Sequence, residues 1–195
     1  MNRRLLALLA CTALLAGCGQ SVTTTATSSA EPDMSVGPVK PAEIDSLPLT
    51  MDELKPIVGD KLFTAYPIER RPSGYGCGTS FPPGWAQFRS ARDTGYSNFH
   101  VLQEIALYSD PAAAKSAFDQ QVKQLNKCSV GHITDQTPTS VTWFSPPSGQ
   151  TNDGAGGQTR VSANILFYVE SSHLYDSAII APISDKIESK IVSVA

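Results

Sequence analysis

The chain has 195 residues, 41% hydrophobic and 17% charged, with a formal net charge of −3. A mildly acidic chain without a Lys/Arg cluster lacks the electrostatic footprint of a nucleic-acid binder. It also lacks the polybasic patch that would lay a domain flat on anionic lipid.

The first 18 residues read as an address. Met1 to Arg4 carries two positive charges, Leu5 to Leu15 is an apolar run, and Leu15-Ala16-Gly17-Cys18 closes it with small residues before a cysteine. That order predicts a bacterial lipoprotein signal over residues 1–17. The run falls short of the roughly 20 apolar residues a membrane span needs, so removal is expected rather than retention. Cys18 then becomes the first mature residue, acylated on its sulfur (a palmitate-type chain) and on its amine. Each buried methylene contributes about 0.8 kcal/mol, so two or three long chains hold the protein on the outer face of the cell membrane. Loss of Arg3 and Arg4 with the signal moves the formal net charge to −5. Residues 18–45, rich in Ser, Thr, Ala and Pro and without an aromatic, are expected to be a flexible tether. Its Ser/Thr density also suits O-glycosylation. Residues 46–195 are long enough for one domain with a real core.

Within that domain, Thr50-Met51-Asp52-Glu53 has the form of a capping box and predicts a helix from Met51 to Val58, stopped by Gly59. Leu62 to Ile68 reads as a strand, and Glu69 to Gly84, with four glycines and three prolines, as a loop. Trp85 to Arg92 and Asn98 to Tyr108 read as strands. In the second, Phe99, Val101, Ile105 and Leu107 point one way and His100, Leu102, Glu104, Ala106 and Tyr108 the other. Apolar groups on both faces fit a central strand covered on each side. Asp110-Pro111 supplies an N-cap and a first-turn proline for a helix to about Lys127, with Ala114, Phe118, Val122 and Leu125 on its inner stripe. Val130 to Thr134 and Ser140 to Phe144 are candidate strands, and Ser148 to Gly157 reads as a glycine-rich connection. Arg160 to Glu170 is the strongest β signal. A last helix, Tyr175 to Ser193, shows Ile180, Ile183, Ile187 and Ile191 on one stripe, with Pro182 near its start. The pattern predicts an α+β fold.

Cys11 leaves with the signal and Cys18 is acylated, so Cys77 and Cys128 remain. In an oxidising envelope such a pair most simply forms one disulfide, worth roughly 4 kcal/mol in the chain-entropy model. No CxxC or HxxxH spacing supports a metal site, and no cofactor motif is present. His100, His132 and His173 stand in no catalytic spacing, and His100 lies roughly 13 Å along the strand from Glu104. Gly154-Ala155-Gly156-Gly157 lacks the lysine and helix start of a phosphate loop and reads as a hairpin connection. Trp85, Phe88, Tyr96 and Phe99 form an aromatic-rich stretch. Trp85, Tyr96 and Phe99 are candidates to line an apolar cleft, and core packing explains them equally well.

Three runs give the domain a family likeness: Leu47-Pro48-Leu49-Thr50-Met51-Asp52-Glu53-Leu54 closed by Val58-Gly59, Gln103-Glu104-Ile105-Ala106-Leu107-Tyr108-Ser109-Asp110-Pro111-Ala112-Ala113-Ala114, and the closing Asn164 to Val169 strand with the Ile179 to Ile191 helix. Together with Cys128 just after the second helix and Cys77 upstream, they resemble the PknH-like extracellular sensor domain family of actinobacteria. That family occurs as the outer domain of a membrane serine/threonine kinase and as free lipoproteins. The chain departs from it in having no cysteine after Cys128, where the family usually has a second disulfide, and Leu125 where the family tends to have a tryptophan. The resemblance implies a twisted antiparallel sheet flanked by helices, a disulfide between Cys77 and Cys128, and a cleft for an unidentified ligand.

The expected function is therefore a membrane-anchored, extracytoplasmic sensor or ligand-binding lipoprotein without enzymatic activity, its ligand an envelope lipid or glycan. An alternative is a scaffold that binds another envelope protein, to be recognised by a large exposed apolar patch. An envelope hydrolase would need a triad or metal site assembled from distant residues.

Overall fold

The capping box forms as the sequence requires. Thr50 Oγ1 accepts the Glu53 N–H at 3.3 Å, and the Glu53 carboxylate accepts the Thr50 N–H at 2.8 Å. They open helix α1 (Met51–Val58) in the computed structural model, which describes residues 36–73, 81–128, 131–146, 154–172 and 177–195, the side chains at 98 and 177 excepted. The signal 1–17, Cys18, Cys77 and the Tyr75-Gly76-Cys77-Gly78 run lie outside those residues.

The remaining elements are β1 (Leu62–Ala65), β2 (Gln87–Gly95), β3 (His100–Leu107), α2 (Pro111–Leu125), β4 (His132–Gln136), β5 (Ser140–Ser145), β6 (Ala155–Ser162), β7 (Ile165–Ser172) and α3 (Ser177–Val194). The strands form one antiparallel sheet in the order β1-β2-β3-β7-β6-β5-β4. The fold is α+β, with helices on both sheet faces.

Alternation along β3 and β7 sends side chains into two cores. Val101, Ile105, Leu107, Ile165, Phe167 and Val169 pack under α1 and α3, where Ile180, Ile183, Ile187 and Ile191 form the buried stripe. Leu102, Ala106, Leu166 and Tyr168 pack under α2, against Ala114, Phe118, Val122 and Leu125. Each buried large aliphatic or aromatic side chain contributes roughly 1.5–3 kcal/mol of transfer free energy. Lys190 Nζ lies 3.2 Å from the Glu53 carboxylate and ties α3 to the start of α1. Among the described residues, no helix is long and apolar enough to cross a membrane.

Three expectations need correction. The predicted Arg160–Glu170 strand is a hairpin, β6 and β7, that turns at Ala163-Asn164 between the paired Ser162 and Ile165. Ala163 holds a left-handed φ of 49° there without a glycine to announce it. The supposed hairpin connection Gly154-Ala155-Gly156-Gly157 runs instead into β6. A Cβ on Gly157 would fall 2.7 Å from Tyr168 Cε2 and 2.9 Å from Trp143 Nε1. The Trp143 and Tyr168 rings lie nearly parallel, 6.3 Å apart, and both crowd this backbone.

The third correction concerns the tether drawn to residue 45. Pro41–Ser46 is a 3-10 helix, and Val39 and Ile44 are buried in the α3-side core. The buried amide of Asn164 binds both backbone groups of Val39, accepting its N–H at 2.7 Å and donating to its carbonyl at 3.2 Å. Gln103 does the same for Leu49, at 2.7 and 3.1 Å. Folded structure therefore begins by Val39. Composition misled here because the two apolar anchors are isolated among polar residues.

On the same face Asp93 is 4% exposed, and burial pushes its carboxyl up to about 6, against a hydrogen bond from Gln103 that lowers it. A raised carboxylate favours the native state when protonated. The stability it allows is full below pH 3.8 and is lost as pH rises from 3.8 through about 6. Asp93→Asn should remove that loss and raise stability at pH 7 by on the order of 3 kcal/mol. Urea melts of both proteins at pH 4 and pH 7 will check it, the gap opening only at the higher pH.

Candidate functional site

The chain after β1 builds a cleft by crossing the sheet. Tyr66 N–H donates to the Arg92 carbonyl at 2.9 Å, and Glu69 and Ser90 exchange backbone hydrogen bonds at 2.9 and 2.8 Å. The segment then leaves the edge and passes over the α2 side of the sheet as far as β3, where Ser73 N–H donates to Glu104 Oε1 at 2.6 Å. Helix α2 lies over β6 and β7. The neighbouring ground over β2 and β3 is left to this crossing segment, and a cleft of about 530 Å³ opens there. Tyr66, Arg71, Ser73, Ser90, Arg92 and Leu102 are among its lining residues.

Glu104 lies beneath Ser73 and is fully buried. Its Oε2 has no hydrogen-bond partner, and neither does the buried Ser73 Oγ. A buried acceptor left unsatisfied costs roughly 1–3 kcal/mol, and more if charged. Burial pushes the Glu104 carboxyl above its usual range, the Ser73 N–H and the neighbouring Ser73 and Ser90 hydroxyls oppose this, and the charge of Glu170 adds to the rise. Glu170 stands on β7 opposite Leu102, one diagonal step from Glu104 on the same face. Tyr168 Oη donates to it, and burial with the two glutamates holds that phenol well above the ordinary tyrosine range.

His100 and Ser172 face each other across β3 and β7, with Ser172 Oγ 2.5 Å from His100 Nδ1 and His100 Nε2 3.5 Å from Glu170 Oε1. Hydroxyl, imidazole and carboxylate thus stand in line, as in nucleophilic hydrolases. A nucleophile also needs a substrate space on its free side. Neither Ser172 nor His100 lines the cleft.

The three aromatic candidates are separated. Trp85 is half-buried at the edge of the α2-side core, 5.5 Å from the Phe88 ring. Tyr96 is 72% exposed and stacks at a tilt on Phe63, 4.7 Å away. Phe99 is buried in the α3-side core, with Lys61 Nζ 5.9 Å from its ring centre. None of them lines the cleft. Cys128 follows α2, its N–H donating to the Leu125 carbonyl at 3.0 Å. Sequence reasoning weighed Glu104 only as a distant partner of His100, although a stronger signal was present: it is the one carboxylate on the mostly apolar strand β3.

Glu104→Gln tests the site's electrostatics. The wild type should lose stability as pH rises above 4.5, because the unfolded chain ionises first while the buried carboxyl holds its proton. The variant keeps an acceptor for Ser73 N–H and cannot ionise. Its melting temperature should exceed that of the wild type at neutral pH, with the difference vanishing near pH 4. A variant less stable than the wild type throughout would contradict the assignment.

A model of the PknH-like extracellular domain matches residues 39–173. The crystal structure of the extracellular domain of PknH from Mycobacterium tuberculosis is similar with a TM-score of 0.68 at 12% identity, over 80% of this chain and 98% of that one. At that identity the likeness is one of fold. No curated protein sequence matches. The family match begins at Val39, the residue that Asn164 clamps to the sheet, and covers every strand. The chain belongs to the PknH-like extracellular domain family, and its folded part is an extracytoplasmic domain of that kind.

Proposed function

We propose that this protein is a lipid-anchored sensor of the cell envelope whose domain binds a ligand in the cleft over Glu104 and does not turn it over. The observation that carries the reading is the cleft itself, with two unpartnered polar atoms beneath it. Water-filled grooves are common, but a fully buried carboxylate oxygen without a donor is a cost that a ligand can remove. The occupant is a hydrophilic envelope molecule rather than an apolar one, since the lining is rich in charged and hydroxyl groups. The reading supposes acylation at Cys18, a tether from there to the first clamped residue, Val39, and a Cys77–Cys128 disulfide.

A second reading, docking to another envelope protein, rests on Phe63, Tyr66 and Tyr96. All three are more than half exposed, at or beside the edge strand β1. A stable partner retained in pull-downs and lost in Phe63→Ser would favour it.

Two measurements test the leading reading. Cys18→Ser should abolish membrane retention, and mass spectrometry of the native N-terminus should find acyl chains on Cys18. Native mass spectrometry of protein purified from its own envelope should show a bound mass, lost in Thr94→Trp, which fills the cleft from its half-exposed rim. A ligand-free wild type that no envelope glycan or lipid stabilises in thermal melts would overturn ligand binding.

A further inference from the structure

We propose that the cleft receives its ligand through a protonated amine, seated at Glu104 Oε2 and Ser73 Oγ. This deepens the ligand-binding reading and rests on it. The two atoms belong to residues already joined by the Ser73 N–H bond to Glu104 Oε1, and Glu104 lies directly behind the lining residues Ser73, Ser90 and Leu102. Both can accept. An ammonium offers three donors and no acceptor, whereas a sugar hydroxyl offers a single donor.

Charge points the same way. Glu104 has a second carboxylate, Glu170, as its neighbour on the same face. The donors turned toward Glu170 are Tyr168 Oη and the His100 ring, and His100 is already engaged with Ser172. Arg71 at the rim is paired with Glu69 at 3.4 Å. A cation at Oε2 favours the ionised carboxyl that burial and the Glu170 charge oppose, which a neutral hydroxyl does not. The remainder of the ligand lies in the hydrophilic cleft, whose 530 Å³ suits a single sugar or amino acid. Tyr66, half exposed at the lining, offers a ring face to its carbon skeleton.

An amino sugar and an amino acid share this chemistry, and four probes separate them. The full chain is titrated with glucosamine, N-acetylglucosamine, lysinamide and diacetyl-lysinamide, followed by thermal melting and by amide resonances of Ser73, Ser90 and Glu104. At least one free amine should raise the melting temperature and move those resonances. Its acetylated counterpart, and the same amine on Glu104→Gln, should bind at least about tenfold more weakly, as expected when a charged partner of a buried hydrogen bond is removed. Which amine binds identifies the source. Ser73→Ala, altered in the crossing segment rather than in the sheet, should weaken the amine several-fold and serves if the Glu104 variant fails to fold. Equal binding of an amine and its acetylated form at the cleft would overturn the ammonium seat and leave the ligand-binding reading standing. Failure of both amines to bind would overturn the seat as well, and the native bound mass would then decide the broader reading independently.

Discussion

The fold depends on β3 and β7 being buried on both faces. Apart from His100 and Ser172 at one end, neither strand can solvate a side chain, so each residue along them must find apolar cover or a polar partner. One face is closed by α1, α3 and the N-terminal strap, and the other only partly by α2. Where α2 does not reach, cover comes from the segment that leaves β1 and crosses to Ser73. The cleft exists because a segment of chain, unlike a helix, covers a sheet incompletely.

Polar residues inside this sheet fall into two kinds. Gln103 and Asn164 are fully used, each amide pairing with both backbone groups of one residue in the N-terminal strap. They replace the ladder partners that the strap lacks, so residues 39–49 can lie against the sheet without being a strand. Glu104 is different, an acid with one unpartnered oxygen where an amide would stabilise the fold better. Burial without full compensation is the feature expected of a site kept for binding rather than for stability.

The Ser172–His100–Glu170 line shows how little a constellation says without a space beside it. Its members meet because antiparallel register sets His100 opposite Ser172 and Glu170 two residues back on the same face. That register is anchored at the β6–β7 turn, where Asn164 accepts the Tyr108 N–H on its carbonyl and donates its side-chain amide to the Tyr108 carbonyl, just past the end of β3. The turn thereby also sets Glu170 one diagonal from Glu104. A one-residue slip would move both acids' neighbours to the opposite face.

Much of the architecture was legible in the sequence because it is local. The Thr50–Glu53 capping box, the Asp110-Pro111 helix start, the isoleucine stripe of α3 and the two-faced pattern of β3 depend on neighbours within a few residues. Each gave its element to within a few positions. The family likeness likewise resides in short runs. What the sequence could not decide depends on partners far along the chain. Gly157 is glycine because Trp143 and Tyr168 occupy its side-chain space, the strap is ordered because Asn164 lies 125 residues away, and Trp85, Tyr96 and Phe99 separate because sheet faces divide them. Glu104 becomes a site only when the segment ending at Ser73 crosses over it. Local propensity fixes elements within a few residues, whereas burial, hydrogen-bond completion and charge neighbours arise only when distant strands are laid side by side.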